Sequence, residues 1–237
     1  MTPPDLPTEG GAPSQAHGGR HRALEGRAGA MAALVTVLIL IGGLVEIVPL
    51  IAVEANVPTI ASVTPYTPLE LEGRDLYIRE GCYNCHSQMI RPFRAETMRY
   101  GDYSKPGEFV YDHPFQWGSK RTGPDLQRVG GKWPDAWHYL HMQDPAQTSP
   151  GTIMPRYPWL IRRQLDGRLT AKKMRAMKTL GVPYTDAEID SAERDRDAQA
   201  AEIAGRLADA RIDVAPDREI VALIAYLQRL GTDLGKE

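Results

Sequence analysis

The run Cys82-Tyr83-Asn84-Cys85-His86 contains both cysteines of the chain inside one C-x-x-C-H unit. At that spacing each thiol can add to one vinyl group of a porphyrin. The adjacent histidine then lies under the iron as an axial ligand, so the motif reads as covalent attachment of one haem c. Two other chemistries use similar spacing. A redox dithiol is followed by helix and sheet patterns that are absent here. A zinc centre needs four ligands, normally with a second Cys or His pair close by, and none follows.

An electron-carrying haem iron calls for a sixth ligand, and a thioether opposite histidine stabilises the ferrous state. The candidates are Met89, Met98, Met142 and Met154. Met89 is three residues past His86, on the proximal side. Met98 falls in a charged stretch, and Met142 adjoins His141 in a helical pattern. Met154 lies in Gly151-Thr152-Ile153-Met154-Pro155, 68 residues after His86 (154 − 86), in an extended loop restricted by neighbouring prolines. It is the expected ligand; His113, His138 and His141 keep bis-histidine ligation open. A ligating histidine usually donates its other ring N–H to a carbonyl. The segment Thr122-Gly123-Pro124-Asp125-Leu126 resembles the cytochrome c stretch that supplies it. By that analogy Pro124 accepts the bond and Leu126 packs on the porphyrin; an ordinary Gly-Pro-Asp turn is the alternative. Trp133 and Tyr157 either reach propionates or fill the core. Arg91 either pairs with a propionate or is solvated.

These residues need an address and a scaffold. Residues 28–45 carry no charge, and apolar character resumes after Glu46 to residue 53. As a helix, residues 28–53 measure about 39 Å at roughly 1.5 Å per residue, enough to cross a bilayer. A cleaved signal peptide has a shorter apolar core, so a retained anchor is expected. Arg20, Arg22 and Arg27 precede the span and Glu54 follows it. That asymmetry predicts a cytoplasmic N-terminus and a periplasmic remainder. Gly42-Gly43 permits close approach of another helix, to which Glu46 would hydrogen-bond; snorkelling of Glu46 to the interface is the plainer reading. Pro49 is expected to kink the helix end. Residues 1–27 read as a disordered cytoplasmic tail rich in Pro and Gly, residues 54–68 as a linker, and residues 69–237 as a periplasmic haem domain. In it, helices are predicted over residues 69–81 and 217–230, the second with Ile220, Leu223, Ile224, Leu227 and Leu230 on one face. Gly73, Tyr77 and Tyr226 resemble the residues at which the first and last helices of cytochrome c folds cross. Residues 161–213 read as a helical insertion, with a basic helix over residues 171–180 and a capping box, Thr185-Asp186-Ala187-Glu188, that starts another. Its dense charges suggest a solvated face or, less directly, packing on a partner. The fold class is therefore mainly α: one N-terminal transmembrane helix followed by a cytochrome c-type domain with helical insertions.

A net charge of −2 and the lack of a polybasic run argue against nucleic acid as a partner. From about residue 28 onward the chain resembles the mono-haem subunit II of cbb3-type cytochrome c oxidases, the FixO family. The resemblance rests on Gly43-Leu44-Val45-Glu46-Ile47-Val48-Pro49-Leu50, on residues 81–92 around the haem motif, on Trp117-Gly118-Ser119-Lys120-Arg121-Thr122-Gly123-Pro124-Asp125-Leu126, and on Ile153-Met154-Pro155-Arg156-Tyr157-Pro158-Trp159-Leu160. It implies an electron-relay subunit fed by a cytochrome c donor or a dihaem cytochrome c subunit III. The acceptor is haem b in a catalytic haem–copper oxidase subunit I. Oxygen reduction then belongs to that partner, because this chain offers no second cysteine pair for a dinuclear copper site. The alternatives are the anchored mono-haem subunit of a nitric oxide reductase, a free-standing tethered cytochrome, and a peroxidase-like haem with an open sixth position.

Overall fold

The computed structural model describes residues 20–53 and 58–235. Every regular element among them is helical, and the only strand-like pairing is an isolated antiparallel bridge between Gln164 and Arg218. The chain divides into two units, residues 1–56 and 57–237.

In the first unit, α1 (Arg20–Glu25) precedes α2 (Ala28–Ala52). The expectation of a tail over residues 1–27 is thus modified at its end, where Arg, Ala, Leu and Glu favour a short helix; residues 1–19 lie outside the described residues. The apolar stretch of α2, Ala28–Leu50, is long enough to cross a membrane, and none of its core window is buried in the protein. Pro49 is accommodated inside the last turn, which closes with Val53 N–H donating to the Pro49 carbonyl at 3.0 Å. A side chain added at Gly42 or Gly43 would meet nothing within 4 Å, and Glu46 is exposed. The expected linker falls partly on residues 54–57, also outside the described residues.

The second unit is built on a helix crossing. Thr67 and Glu70 form a capping box that starts α3 (Pro68–Arg79), with Pro68 at the first helical position, where its missing N–H costs nothing. The helix α11 (Glu219–Arg229) crosses it at Gly73: a Cβ there would lie 1.9 Å from the Ala222 carbonyl oxygen. Only glycine permits that approach. The Tyr77 and Tyr226 rings then pack at 5.4 Å with a 59° tilt. The resemblance-based expectation for Gly73, Tyr77 and Tyr226 therefore holds.

Between these helices the chain forms α4 (Arg94–Tyr100), α5 (Asp135–Gln143), α6 (Pro145–Thr148), α7 (Pro158–Arg162), α8 (Thr170–Thr179), α9 (Asp186–Asp190) and α10 (Ala192–Asp209). The capping box at Thr185 and Glu188 starts α9 as expected. Residues 161–213 are more than a solvated appendage. Ala200, Ile203 and Leu207 of α10 join the main core with Leu69, Tyr77 and most of α11. Met174, Met177, Ile189 and Ala192 form a second core on Leu71 of α3. Ala208, next to Leu207, is exposed. The charged face of α10 is also engaged: Arg206 pairs with Asp135 at 2.7 Å, and Arg196 donates to the Gly167 carbonyl at 2.8 Å.

Candidate functional site

The haem motif begins where α3 stops. Gly81 takes a left-handed conformation (φ 72°), and Cys82–Asn84 form a single 3-10 turn. Cys82 is half-buried and Cys85 exposed, and burial pushes the Cys82 thiol up to about 12. The following residues are fastened by backbone bonds to a second loop. Gly123 N–H donates to the Cys85 carbonyl at 2.9 Å, Leu126 N–H to the Ser87 carbonyl at 2.8 Å, and Gln88 N–H to the Trp117 carbonyl at 2.8 Å.

Asp125 joins the same two loops. Its carboxylate accepts from the Ser87 hydroxyl at 2.5 Å, from Met89 N–H at 2.9 Å and from its own Gln127 N–H at 2.9 Å. Arg121 donates to the Ser87 hydroxyl and to the Met89 carbonyl, both at 2.8 Å, and pairs with Glu96 at 2.7 Å. In this frame His86 Nδ1 donates to the Pro124 carbonyl at 2.8 Å. Burial lowers the imidazole pKa and the Pro124 bond partly opposes that. Nε2 is left as the ring nitrogen free to bind. The loop can come this close because residue 123 is glycine: a Cβ there would lie 2.3 Å from His86 Cε1.

One cavity of about 720 Å³ opens at this point, within the range of roughly 300–1,000 Å³ usual for cofactor pockets. Cys82, Cys85, His86 and Met154 all line it, as do Pro124, Leu126, Trp133 and Tyr157. Tyr77, Leu223 and Leu227 bring the crossing helices to its wall. Of the other methionines, Met142 lines the cavity, whereas Met98 is 75 % exposed and away from it. His138 and His141 line it and His113 does not.

Arg91 is not among the lining residues. Its guanidinium pairs with Glu96 and lies over the Phe93 ring, so its contacts give no support to a propionate role. Basic groups that do face the cavity are Arg99, Arg128 and Lys132.

His138 and His141, named from sequence only as alternative ligands, have surroundings that sequence did not indicate. His138 is 2 % exposed, and its Nε2 has no hydrogen-bond partner among the described residues. An orphaned buried nitrogen beside a cavity fits a polar group that fills the cavity. His141 stacks on Trp137 at 4.5 Å and 11°, and Trp137 in turn on Trp133 at 4.9 Å and 14°. Burial lowers both histidines to about 4, which keeps them neutral at physiological pH. The signal for this wall was the four-residue spacing of Trp137 and His141, one face of α5, with Trp133 just before the helix.

The donor set, the cavity and the orphaned nitrogen thus fit a haem. Residues 21–234 match the family model described as cytochrome c oxidase, mono-haem subunit/FixO. The chain belongs to the FixO family. A FixO chain is a subunit of cytochrome c oxidase with one haem, and the match spans the haem motif, the cavity and α2 together. Comparison with curated proteins finds no match.

Proposed function

We propose that this FixO chain is the electron-relay subunit of a cbb3-type oxidase, holding one haem c covalently through Cys82 and Cys85. His86 and Met154 would hold its iron in this reading. The observation that carries it is a single cavity lined by all four residues, with His86 Nδ1 already committed to Pro124. When bound, the haem supplies reversible one-electron exchange. The chain's own residues do the rest. Pro124 fixes the His86 tautomer, Leu126 packs at the cavity wall, and His138 Nε2 would be free to pair with a polar group of the ligand.

The apolar length of α2, with arginines before it, supports a single-pass anchor with the N-terminus in the cytoplasm and the haem domain in the periplasm. The partners in this reading are a catalytic haem–copper subunit I, a dihaem subunit III and a cytochrome c donor. Nucleic acid has no place in it.

The test is purification of the tagged chain from native membranes in mild detergent, with a reduced-minus-oxidised spectrum and metal analysis. Co-purifying haem b, copper and cyanide-sensitive oxygen uptake are expected. Haem b with non-haem iron would indicate a nitric oxide reductase instead, and haem c alone a free-standing tethered cytochrome. Cys82→Ser with Cys85→Ser should leave the chain without haem that survives denaturing electrophoresis.

A further inference from the structure

His141 Nε2 lies 3.1 Å from Met154 Sδ, and His141 Nδ1 lies 2.5 Å from Thr148 Oγ1. A thioether sulfur carries no proton, so a hydrogen bond between the first pair requires the proton on Nε2. Nδ1 is then an acceptor and must receive the Thr148 hydroxyl proton. That hydroxyl has one alternative acceptor, the Pro145 carbonyl at 3.3 Å. In the reverse tautomer the Nε2 lone pair would face the sulfur lone pairs at 3.1 Å, a repulsive contact, so the geometry favours the Thr148 hydroxyl as donor to Nδ1. The polar chain therefore runs in one direction, from Thr148 O–H to Nδ1 and from Nε2–H to Sδ.

The groups that hold His141 are rigid. Its ring is stacked on Trp137, one turn earlier in α5. Thr148 ends α6, whose start is fixed by Asp144 accepting from Ala146 N–H. The loop bearing Met154 is tied to α5 by Tyr157 N–H, which donates to the Met142 carbonyl at 2.8 Å, and to the α5–α6 junction by Arg156, whose guanidinium bonds Asp144 at 2.9 Å. Donor and acceptor are thus held by adjoining pieces of one scaffold.

We propose that His141 is a positioning residue for the Met154 sulfur, its Nε2–H occupying one sulfur lone pair and turning the other toward the iron position. The inference rests on the reading of Met154 as the sixth ligand. It has an electronic consequence: a proton donor on the sulfur withdraws density from it, weakens it as a donor to ferric iron, and biases the couple toward the ferrous state. Removing the donor should lower the reduction potential.

The experiment uses the full-length chain in its purified native complex. His141→Phe keeps a ring to stack on Trp137 and loses both nitrogens; Thr148→Val removes the donor that fixes the tautomer. Near-infrared magnetic circular dichroism of the oxidised protein reads the methionine-to-iron charge-transfer band, and a redox titration reads the haem c potential. The wild type is expected to show the band. Both variants should shift the potential to more negative values, His141→Phe further than Thr148→Val, with unchanged thermal midpoints. An unchanged or more positive potential in His141→Phe overturns the proposal. Should that variant fail to take up haem, an unchanged potential in Thr148→Val overturns it equally. Absence of the band from the wild type would instead overturn the ligand assignment of Met154, which is a separate failure.

Discussion

Gly123 and Glu96 show how single residues shape the site from different distances. At Gly123 an added Cβ meets the imidazole ring of His86 at 2.3 Å, closer than atoms approach without displacement. Gly123→Ala should push the ring off the Pro124 carbonyl, and the expected outcome is loss of low-spin haem c from the absorption spectrum of the expressed chain. Glu96 acts from outside the cavity by pairing with Arg91 and Arg121, and those guanidinium groups hold its carboxyl down at about 2 from an ordinary 4.5. A carboxyl depressed in the folded state contributes stability above its unfolded pKa and loses it as pH falls through the folded one. Stability should therefore drop between pH 4.5 and about 2, and Glu96→Gln should flatten the dependence of the melting temperature on pH in that window. The C-x-x-C-H unit was legible as a candidate site because its spacing is fixed, and its Cys82, Cys85 and His86 side chains line one cavity. The fate of Arg91 was not: a charge near a motif in sequence carries no direction, and here Glu96, five residues on, captures it.

Packing separates the helices that sequence periodicity resolved from those it left open. For α11 the apolar face was readable from five residues at three- and four-residue steps, and all five are buried. In α10 the apolar positions are diluted by Asp, Glu and Arg, so the charges suggested a solvated face or packing on a partner, yet Ile203 and Leu207 join the main core. The structure puts both at 2 % exposure or less. Leu207→Ala should accordingly cost about 2–5 kcal/mol, the range for deleting a buried leucine, measured by denaturant unfolding of the haem-loaded chain. A purely solvated helix would show almost no change. The crossing of α3 and α11 has the opposite sensitivity. Gly73→Ala adds one carbon where a carbonyl already lies 1.9 Å away. Overpacking there should destabilise by about 1–3 kcal/mol or more, visible as a lowered thermal midpoint and a weaker haem c band, since Tyr77, Leu223 and Leu227 of those helices wall the cavity.

At the level of the whole molecule, the two units carry separate tasks, an apolar helix suited to a bilayer and a helical domain enclosing the cavity. Alkaline phosphatase fused after residue 60 should be active in cells, and the same enzyme fused before residue 28 inactive, if the proposed orientation holds; the reverse pattern would invert the topology. The order of the cavity walls along the chain has a further consequence. Ribosomes make the proposed attachment thiols early: Cys85 precedes the start of α11 by 134 residues (219 − 85). Leu223 and Leu227, which close one wall, come from that final helix. The pocket is therefore a clasp whose last side is synthesised long after its hook. Until α11 docks on Gly73 that wall is missing, and the pocket beside Cys82 and Cys85 stays open on one side.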